Sequence, residues 1–178
     1  MHTPNVVADT DIVLSTMDEE ELRQAIELLF FAYRDFTGEA DTVLADYGFG
    51  RAHHRVIYFV GRNPQISVGD LLDILKITKQ SLSRVLGQLI DEGYVLQDTD
   101  GADRRRRLLH LSDKGIRLEA LLTERQSARI AQAYAAAGTN AVTGFRAILR
   151  EIIDEADQRR VGRRERERPS ADDSRFVG

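Results

Sequence analysis

The sequence predicts a mainly α-helical fold carrying one small β-hairpin, and three observations carry that reading. No proline falls between Pro64 and Pro169, so nothing in that long stretch interrupts helix. Apolar residues recur at spacings of three and four along most of the chain, the period of a helix with one buried face. Between Tyr94 and Leu111 that period is lost, and an Asp100-Gly101 pair sits between two short strand-like runs.

Residues 1–17 lack sustained periodicity and read as a flexible arm. Thr16 followed by Glu19 has the form of a capping box. A first helix then runs from about Asp18 to Asp46, with Leu22, Ile26, Leu29, Tyr33 and Phe36 on a heptad-like seam. Leu28, Phe30, Phe31 and Ala32 make its middle apolar all round, so more than one side must be covered. Gly38 weakens it and leaves two shorter helices open.

A second helix, about Gly50–Arg62, carries Val56, Ile57, Phe59 and Val60 and stops at Asn63-Pro64. Ser67, with Asp70 three residues on, caps a short third helix that turns Leu71, Leu72 and Leu75 inward. Thr78 opens a fourth, ended by Gly93, with Leu82, Val85, Leu86, Leu89 and Ile90 as a one-sided stripe. Tyr94–Asp98 and Arg105–Leu111 read as the two strands of the hairpin. Ser112 caps a fifth helix, about Asp113–Ala137, and Gly138 ends it. A sixth starts at Thr139 and aligns Val142, Phe145, Ile148, Leu149, Ile152 and Ile153. Past about Arg160 the chain turns Arg/Glu-rich and then Pro/Ser/Asp-rich, and 161–178 reads as a disordered charged tail. Its arginines alternate with glutamates, as on a solvated, frayed helix end.

That order places a winged helix-turn-helix at 48–111, inserted between long helices at 18–47 and 112–160. The outer helices are apolar beyond what the central unit needs, which marks them as a dimerisation layer.

Composition narrows the function. The chain has 178 residues, 30% charged and 42% hydrophobic, too apolar for wholesale disorder. It has no cysteine, which excludes disulfides, thiolate metal sites, cysteine nucleophiles and thiol switches. No apolar run approaches the ~18 residues of a membrane span. Met1–Asn5 has neither the basic start nor the apolar stretch of a secretory signal, so a soluble cytoplasmic protein is expected. The net charge of −4 argues against a general polycation, yet arginines gather at 104–107 and 159–168.

The fourth helix turns its polar face outward. Thr78 and Lys79 lie at its N-terminus, where free backbone N–H groups favour phosphate. Gln80, Ser81, Ser83, Arg84 and Gln88 follow; Gln and Arg match adenine and guanine edges, and Ser matches base or phosphate. Arg104, Arg105, Arg106 and Arg107 crowd the hairpin and require an anionic partner or screening salt. Strand alternation sends Arg105 and Arg107 to one face and Arg104 and Arg106 to the other. An arginine at such a tip suits the negative potential of a narrow minor groove. Asp103 fits as the carboxylate that orients an arginine fork.

Three segments together resemble the MarR (multiple antibiotic resistance regulator) family of bacterial transcription factors. They are Tyr47-Gly48-Phe49-Gly50-Arg51-Ala52-His53-His54-Arg55-Val56-Ile57, then Thr78-Lys79-Gln80-Ser81-Leu82-Ser83-Arg84-Val85-Leu86, then Asp103 through Gly115 with its Asp-x-Arg wing and Leu-Ser-x-x-Gly helix start. The likeness covers about 20–155 and is most specific across 67–115. It implies a homodimer with interlocked first, fifth and sixth helices, reading double-stranded DNA at a pseudo-palindromic operator. It gives Asp103 and Arg105 the wing roles and 78–88 the recognition role. It also implies a small aromatic or anionic effector in the crevice beside the dimerisation helices, where Tyr33, Phe36, Arg51, His54, Arg55 and Tyr58 could reach it; the alternative is that Tyr33, Phe36 and Tyr58 simply belong to the core.

No cofactor, metal or catalytic residue is expected. His53 and His54 are adjacent, so on a helix they point about 100° apart and do not chelate one ion; packing or pocket lining suits them better. There is no nucleophile motif and no glycine-rich phosphate loop. Two functional classes stay open: a sequence-specific DNA-binding regulator, and a winged-helix protein-interaction module without specific DNA binding. The arginine wing beside a Gln/Ser/Arg helix favours DNA.

Overall fold

The computed structural model describes residues 18–104 and 106–167. The arm at 1–17, Thr16, Arg105 and the end of the tail, 168–178, lie outside the described residues. Helix α1 (Glu19–Ala45) begins at Asp18, whose amide donates to the Glu21 carboxylate at 3.2 Å. The start falls later than a Thr16 cap would put it. α1 also runs unbroken through Gly38. Glu39 accepts from both Nε and Nη2 of Arg129, at 2.9 and 2.5 Å, so the weak point is clamped by a neighbouring helix.

Helix α2 (Arg51–Arg62) follows, then strand β1 (Ile66–Ser67), α3 (Val68–Leu75) and α4 (Lys79–Asp91). The hairpin is β2 (Val95–Thr99) with β3 (Arg107–Leu111), and α5 (Asp113–Ala137) and α6 (Thr139–Ile152) come next. Local chemistry explains the starts. Ser67 Oγ accepts from Asp70 N, Thr78 Oγ1 from Ser81 N and Ser112 Oγ from Gly115 N, each at 3.1 Å, as caps of α3, α4 and α5. Lys76 ends α3 in the left-handed region, with φ 50°, and forms the turn before α4.

The sheet has three strands rather than the two of a hairpin, in the order β1-β3-β2, all antiparallel. Ile66 pairs with Leu109 and Ser67 with Leu108, so the segment before α3 adds a short third strand. Two residues are too few to show any period, and pairing across 43 positions is not a local property. In the hairpin, Val95 faces Leu111 and Thr99 faces Arg107. β3 thus begins at Arg107, two residues later than expected. Arg104 and Arg106 lie in the connecting loop, where strand alternation does not govern them.

The tail also differs. Ile153 leaves the helical region at the end of α6, and the chain restarts as α7 (Glu155–Glu167). Residues 161–167 are therefore helical, not disordered. Arg146 donates to Glu165 at 2.8 Å, Arg150 donates to the same carboxylate, and Lys76 pairs with Asp154 and Asp157. Charges that look solvated in sequence are paired across elements.

The core lies among α2, α3, α4, the sheet, the end of α1 and the first half of α5. Leu44, Ile57, Leu71, Leu82, Leu89, Leu109 and Leu122 are wholly buried there. The first half of α1 stays open, with Ile26 and Leu28 69% exposed and Phe30 61%. α6 buries no residue, and its Ile148 is 61% exposed.

The wing is tied to the helices at one junction. Ser112 Oγ donates to Gly93 O at 2.6 Å while capping α5. Lys114 Nζ donates to Glu92 O at 3.0 Å and lies 3.9 Å over the Tyr94 ring. A Cβ added at Gly115 would run into the Tyr94 carbonyl oxygen. Gly115→Ala should therefore lower the unfolding free energy by about 2–3 kcal/mol. Gly87→Ala, in α4 with open space around it, should raise it by about 0.5–1 kcal/mol. Urea midpoints of the two variants give the comparison, and equal shifts would overturn the junction's role.

Candidate functional site

The polar face of α4 stands clear of the core. Leu82, Val85, Leu86 and Leu89 are buried, which turns Lys79, Gln80, Ser83 and Arg84 outward. These four are exposed and hold no partner side chain among the described residues. Thr78 and Ser81 are exposed too, but Thr78 Oγ1 donates to Ser81 Oγ at 2.8 Å and so fixes the first turn. The helix has no acidic residue in its first turn, and a helix N-terminus is a favourable place for a phosphate.

Gln88 departs from the expected set. It is half-buried, and both ends of its amide are used. His53 Nδ1 accepts from Gly50 N at 3.1 Å, which leaves its proton on Nε2, 2.9 Å from Gln88 Oε1. Gln88 Nε2 in turn donates to Glu92 at 2.9 Å. Gln88 thus joins α4 to the start of α2, and His53, stacked 4.8 Å from the Phe49 ring, is structural. A helical wheel places Gln88 on the outer face but cannot show that His53 lies opposite.

The wing loop is ordered by its own backbone. Asp100 N donates to Arg106 O, Arg106 N to Asp103 O, and Ala102 N to the Asp100 carboxylate. Arg106 lies 3.7 Å from both Asp100 and Asp70, so its guanidinium leans on the start of α3. Sequence reasoning assigned a fork-orienting carboxylate to Asp103 and missed Asp100 and Asp70. The Asp100-Gly101 pair, where an Asp side chain can bond the backbone two residues on, was the available signal for Asp100. Arg104 is exposed, and Arg105 lies outside the described residues.

A second feature lies between α1, α2 and α5. A cavity of about 600 Å³ is lined by Tyr33, Phe36, Arg51, His54, Arg55 and Tyr58, all six residues expected within reach of that crevice. α5 supplies the opposite wall with Thr123, Gln126, Ile130 and Tyr134, which the sequence gave no reason to single out. Arg51 is held by Asp41 at 2.7 Å, and Arg55 donates to the Tyr33 hydroxyl at 2.7 Å. His54 Nε2 is buried without a hydrogen-bond partner. The site is mostly apolar walls with a few convergent polar groups, the usual make-up of a small-molecule pocket. Among the described residues no group of three or more His, Asp or Glu is placed to hold a metal.

Burial lowers the His54 pKa below its usual value of about 6.5, against the pull of Asp41 and Glu119. The unfolded chain then binds this proton before the folded chain does. Stability should fall as pH drops below about 6.5, until the lowered folded-state pKa is passed, and be unaffected by His54 above it. His54→Gln should show a shallower loss between pH 6.5 and 5 in urea midpoints. An unchanged slope would remove His54 from that role.

Comparison with known proteins agrees with this architecture. A family model described as the MarR family matches residues 47–106, from the start of α2 into the wing. The chain is 48% identical over 143 residues to the HTH-type transcriptional regulator PetP of Rhodobacter capsulatus, covering 80% of this chain and 86% of that one. Among solved structures, FabT of Streptococcus pneumoniae in complex with DNA superposes with a TM-score of 0.66 at 17% identity, over 74% of this chain and 94% of that chain. A MarR crystal structure gives 0.61 at 20% identity, over 82% and 98%. With the recognition-type helix, the three-stranded wing and a near relative along most of its length, the chain belongs to the MarR family of winged helix-turn-helix transcriptional regulators, which are not enzymes.

Proposed function

We propose that this chain is a cytoplasmic homodimer that represses transcription by holding a pseudo-palindromic operator. α4 lies in the major groove and the wing follows the minor groove. The observation that carries this reading is the outward face of α4: Lys79, Gln80, Ser83 and Arg84 are exposed without partner side chains among the described residues, beside an arginine-bearing wing. Groups that read base edges must be free of internal bonds. Arg84 and Gln80 meet bases, whereas Thr78, Lys79, Arg104 and Arg105 meet phosphates and groove potential. Asp103 orients the wing arginines.

The open faces of α1 and α6 supply the dimer. Leu22, Leu29, Phe30, Phe145, Ile148 and Ile152 form large exposed apolar surface on the first half of α1 and on α6, which lie outside the core. Surface of that kind marks an interface. A small aromatic anion suits the α1–α2–α5 cavity, with ring walls from Tyr33, Phe36 and Tyr58 and a cationic end at Arg51 and Arg55. Its binding there changes the angle between the dimer layer and the winged helix, and so the spacing of the two α4 helices.

Salt titrations of binding to operator and scrambled duplexes test the division of labour. Gln80→Ala and Arg84→Ala should each cost about 1–3 kcal/mol of discrimination at one base pair per half-site, with the salt slope nearly unchanged. Arg105→Ala should weaken both duplexes alike and flatten the slope by about 0.9 per lost phosphate contact, with Asp103→Ala a milder version. The opposite pattern would reverse the assignment, and equal affinity of the wild type for both duplexes would indicate a protein-interaction module. Footprints should show half-site centres about 10 base pairs apart. Leu29→Asp or Ile152→Asp should lower dimer fraction and DNA affinity together. A wild-type chain sedimenting as a compact monomer at micromolar concentration would overturn the dimer.

A further inference from the structure

The C-terminal arginines do not trail into solvent. α7 folds back so that Arg159, Arg160, Arg163 and Arg164 face the end of α2, and with Arg62 they line a cleft of about 1110 Å³. Among the described residues Asp70 is the one carboxylate on that lining, against five guanidinium groups. Some of the charge is spoken for: Arg159 pairs with Glu155 at 3.1 Å, and Arg164 donates to the Asn63 side chain. Arg160 lies only at 3.8 Å from Asp157, and its Nε is buried without a hydrogen-bond partner among the described residues. Arg62 and Arg163 are exposed and have no carboxylate partner among the described residues. Cations gathered at this density repel one another and favour an anion between them.

The cleft is built rather than incidental. α7 is held at its start by Lys76, which pairs with Asp154 and Asp157, and toward its end by Glu165, which accepts from Arg146 and Arg150. Its mouth adjoins the wing, because Asp70 lines the cleft and also lies 3.7 Å from Arg106. Ser67 donates to the same Asp70 carboxylate at 2.6 Å, which pins it at the start of α3.

We propose that this cleft binds phosphate groups of duplex DNA flanking the segment read by α4 and the wing, making α7 a third DNA-contacting element. The inference rests on the DNA-binding reading above. Its chemistry is that of a guanidinium cluster for phosphate oxygens, which Arg meets as paired donors. The continuity from Arg62 through Asp70 to Arg106 selects the duplex as the source. The cleft extends the basic surface outward from the wing.

The test uses the full chain and the Arg62→Gln/Arg163→Gln double variant. One probe is a duplex carrying the footprinted operator with 10 extra base pairs on each side, the other the same operator trimmed flush. The double variant should lose about 0.9 from the salt slope for each phosphate given up on the long duplex. It should bind at least tenfold more weakly there at 0.15 M salt, match the wild type on the trimmed duplex, and keep the wild-type urea midpoint. Equal behaviour of the two proteins on the long duplex would overturn the cleft's role, as would an equal loss on both duplexes. Saturable micromolar binding of inorganic pyrophosphate without DNA, abolished in the double variant, would assign the cleft to a free phosphorylated ligand and overturn the duplex assignment. Failure of the underlying reading looks different: the wild type itself would then show no preference for operator over scrambled DNA.

Discussion

The close approach of α5 to the base of the wing is the constraint on which the rest depends. Ser112 bonds in both directions, accepting from Gly115 N to start α5 and donating to Gly93 O to hold the end of α4. Gly115 has no Cβ, so the first turn of α5 can press against the Tyr94 carbonyl. Four elements meet within a few residues: the end of α4, the start of β2, the end of β3 and the start of α5. The wing and the recognition-type helix therefore keep a fixed relation to each other and to the long helix leading to the apolar layer. The Leu-Ser-x-x-Gly pattern is the local form of this contact, a capping hydroxyl three residues before a residue that must be small.

Features that one stretch of chain decides for itself were legible in the sequence. Ser67, Thr78 and Ser112 cap the helices expected of them, because a hydroxyl and an amide three residues on need no third party. The bounds of α5, Asp113–Ala137, follow from a serine at one end and Gly138 at the other. Features set by distant partners were not legible. β1 exists only because Leu108 and Leu109 pair with it. Gln88 sits on the correct face of α4, yet His53 occupies it. The crevice lining on α1 and α2 could be named in advance, while the α5 wall could not, since nothing in Thr123 or Gln126 distinguishes them from any helix surface.

The same distinction governs charge. A net charge of −4 suggests little affinity for nucleic acid, but the total says nothing about where the charges stand. Arginines and glutamates that alternate in the last helix looked self-compensating. In three dimensions Glu165 turns to α6, and Asp154 and Asp157 turn to Lys76. These three carboxylates are engaged by other elements, while four arginines of α7 line the cleft with Arg62. Lys76 has a second part in this, since it also occupies the left-handed turn between α3 and α4. A glycine there would relieve the backbone and lose the ion pairs.

The length of α5 has a mechanical meaning. At 25 residues it spans about 37 Å, with the wing junction at one end and the open apolar layer at the other. Its middle forms a wall of the crevice. A rigid rod pivoted near its centre converts a tilt of about 5° into end displacements of about 1.6 Å in opposite directions. In the proposed homodimer, two such rods moving together would change the separation of their far ends by about twice that, close to one base-pair step of about 3.4 Å. The molecule has the proportions of a lever, with its fulcrum at the cavity wall and its load at the wing.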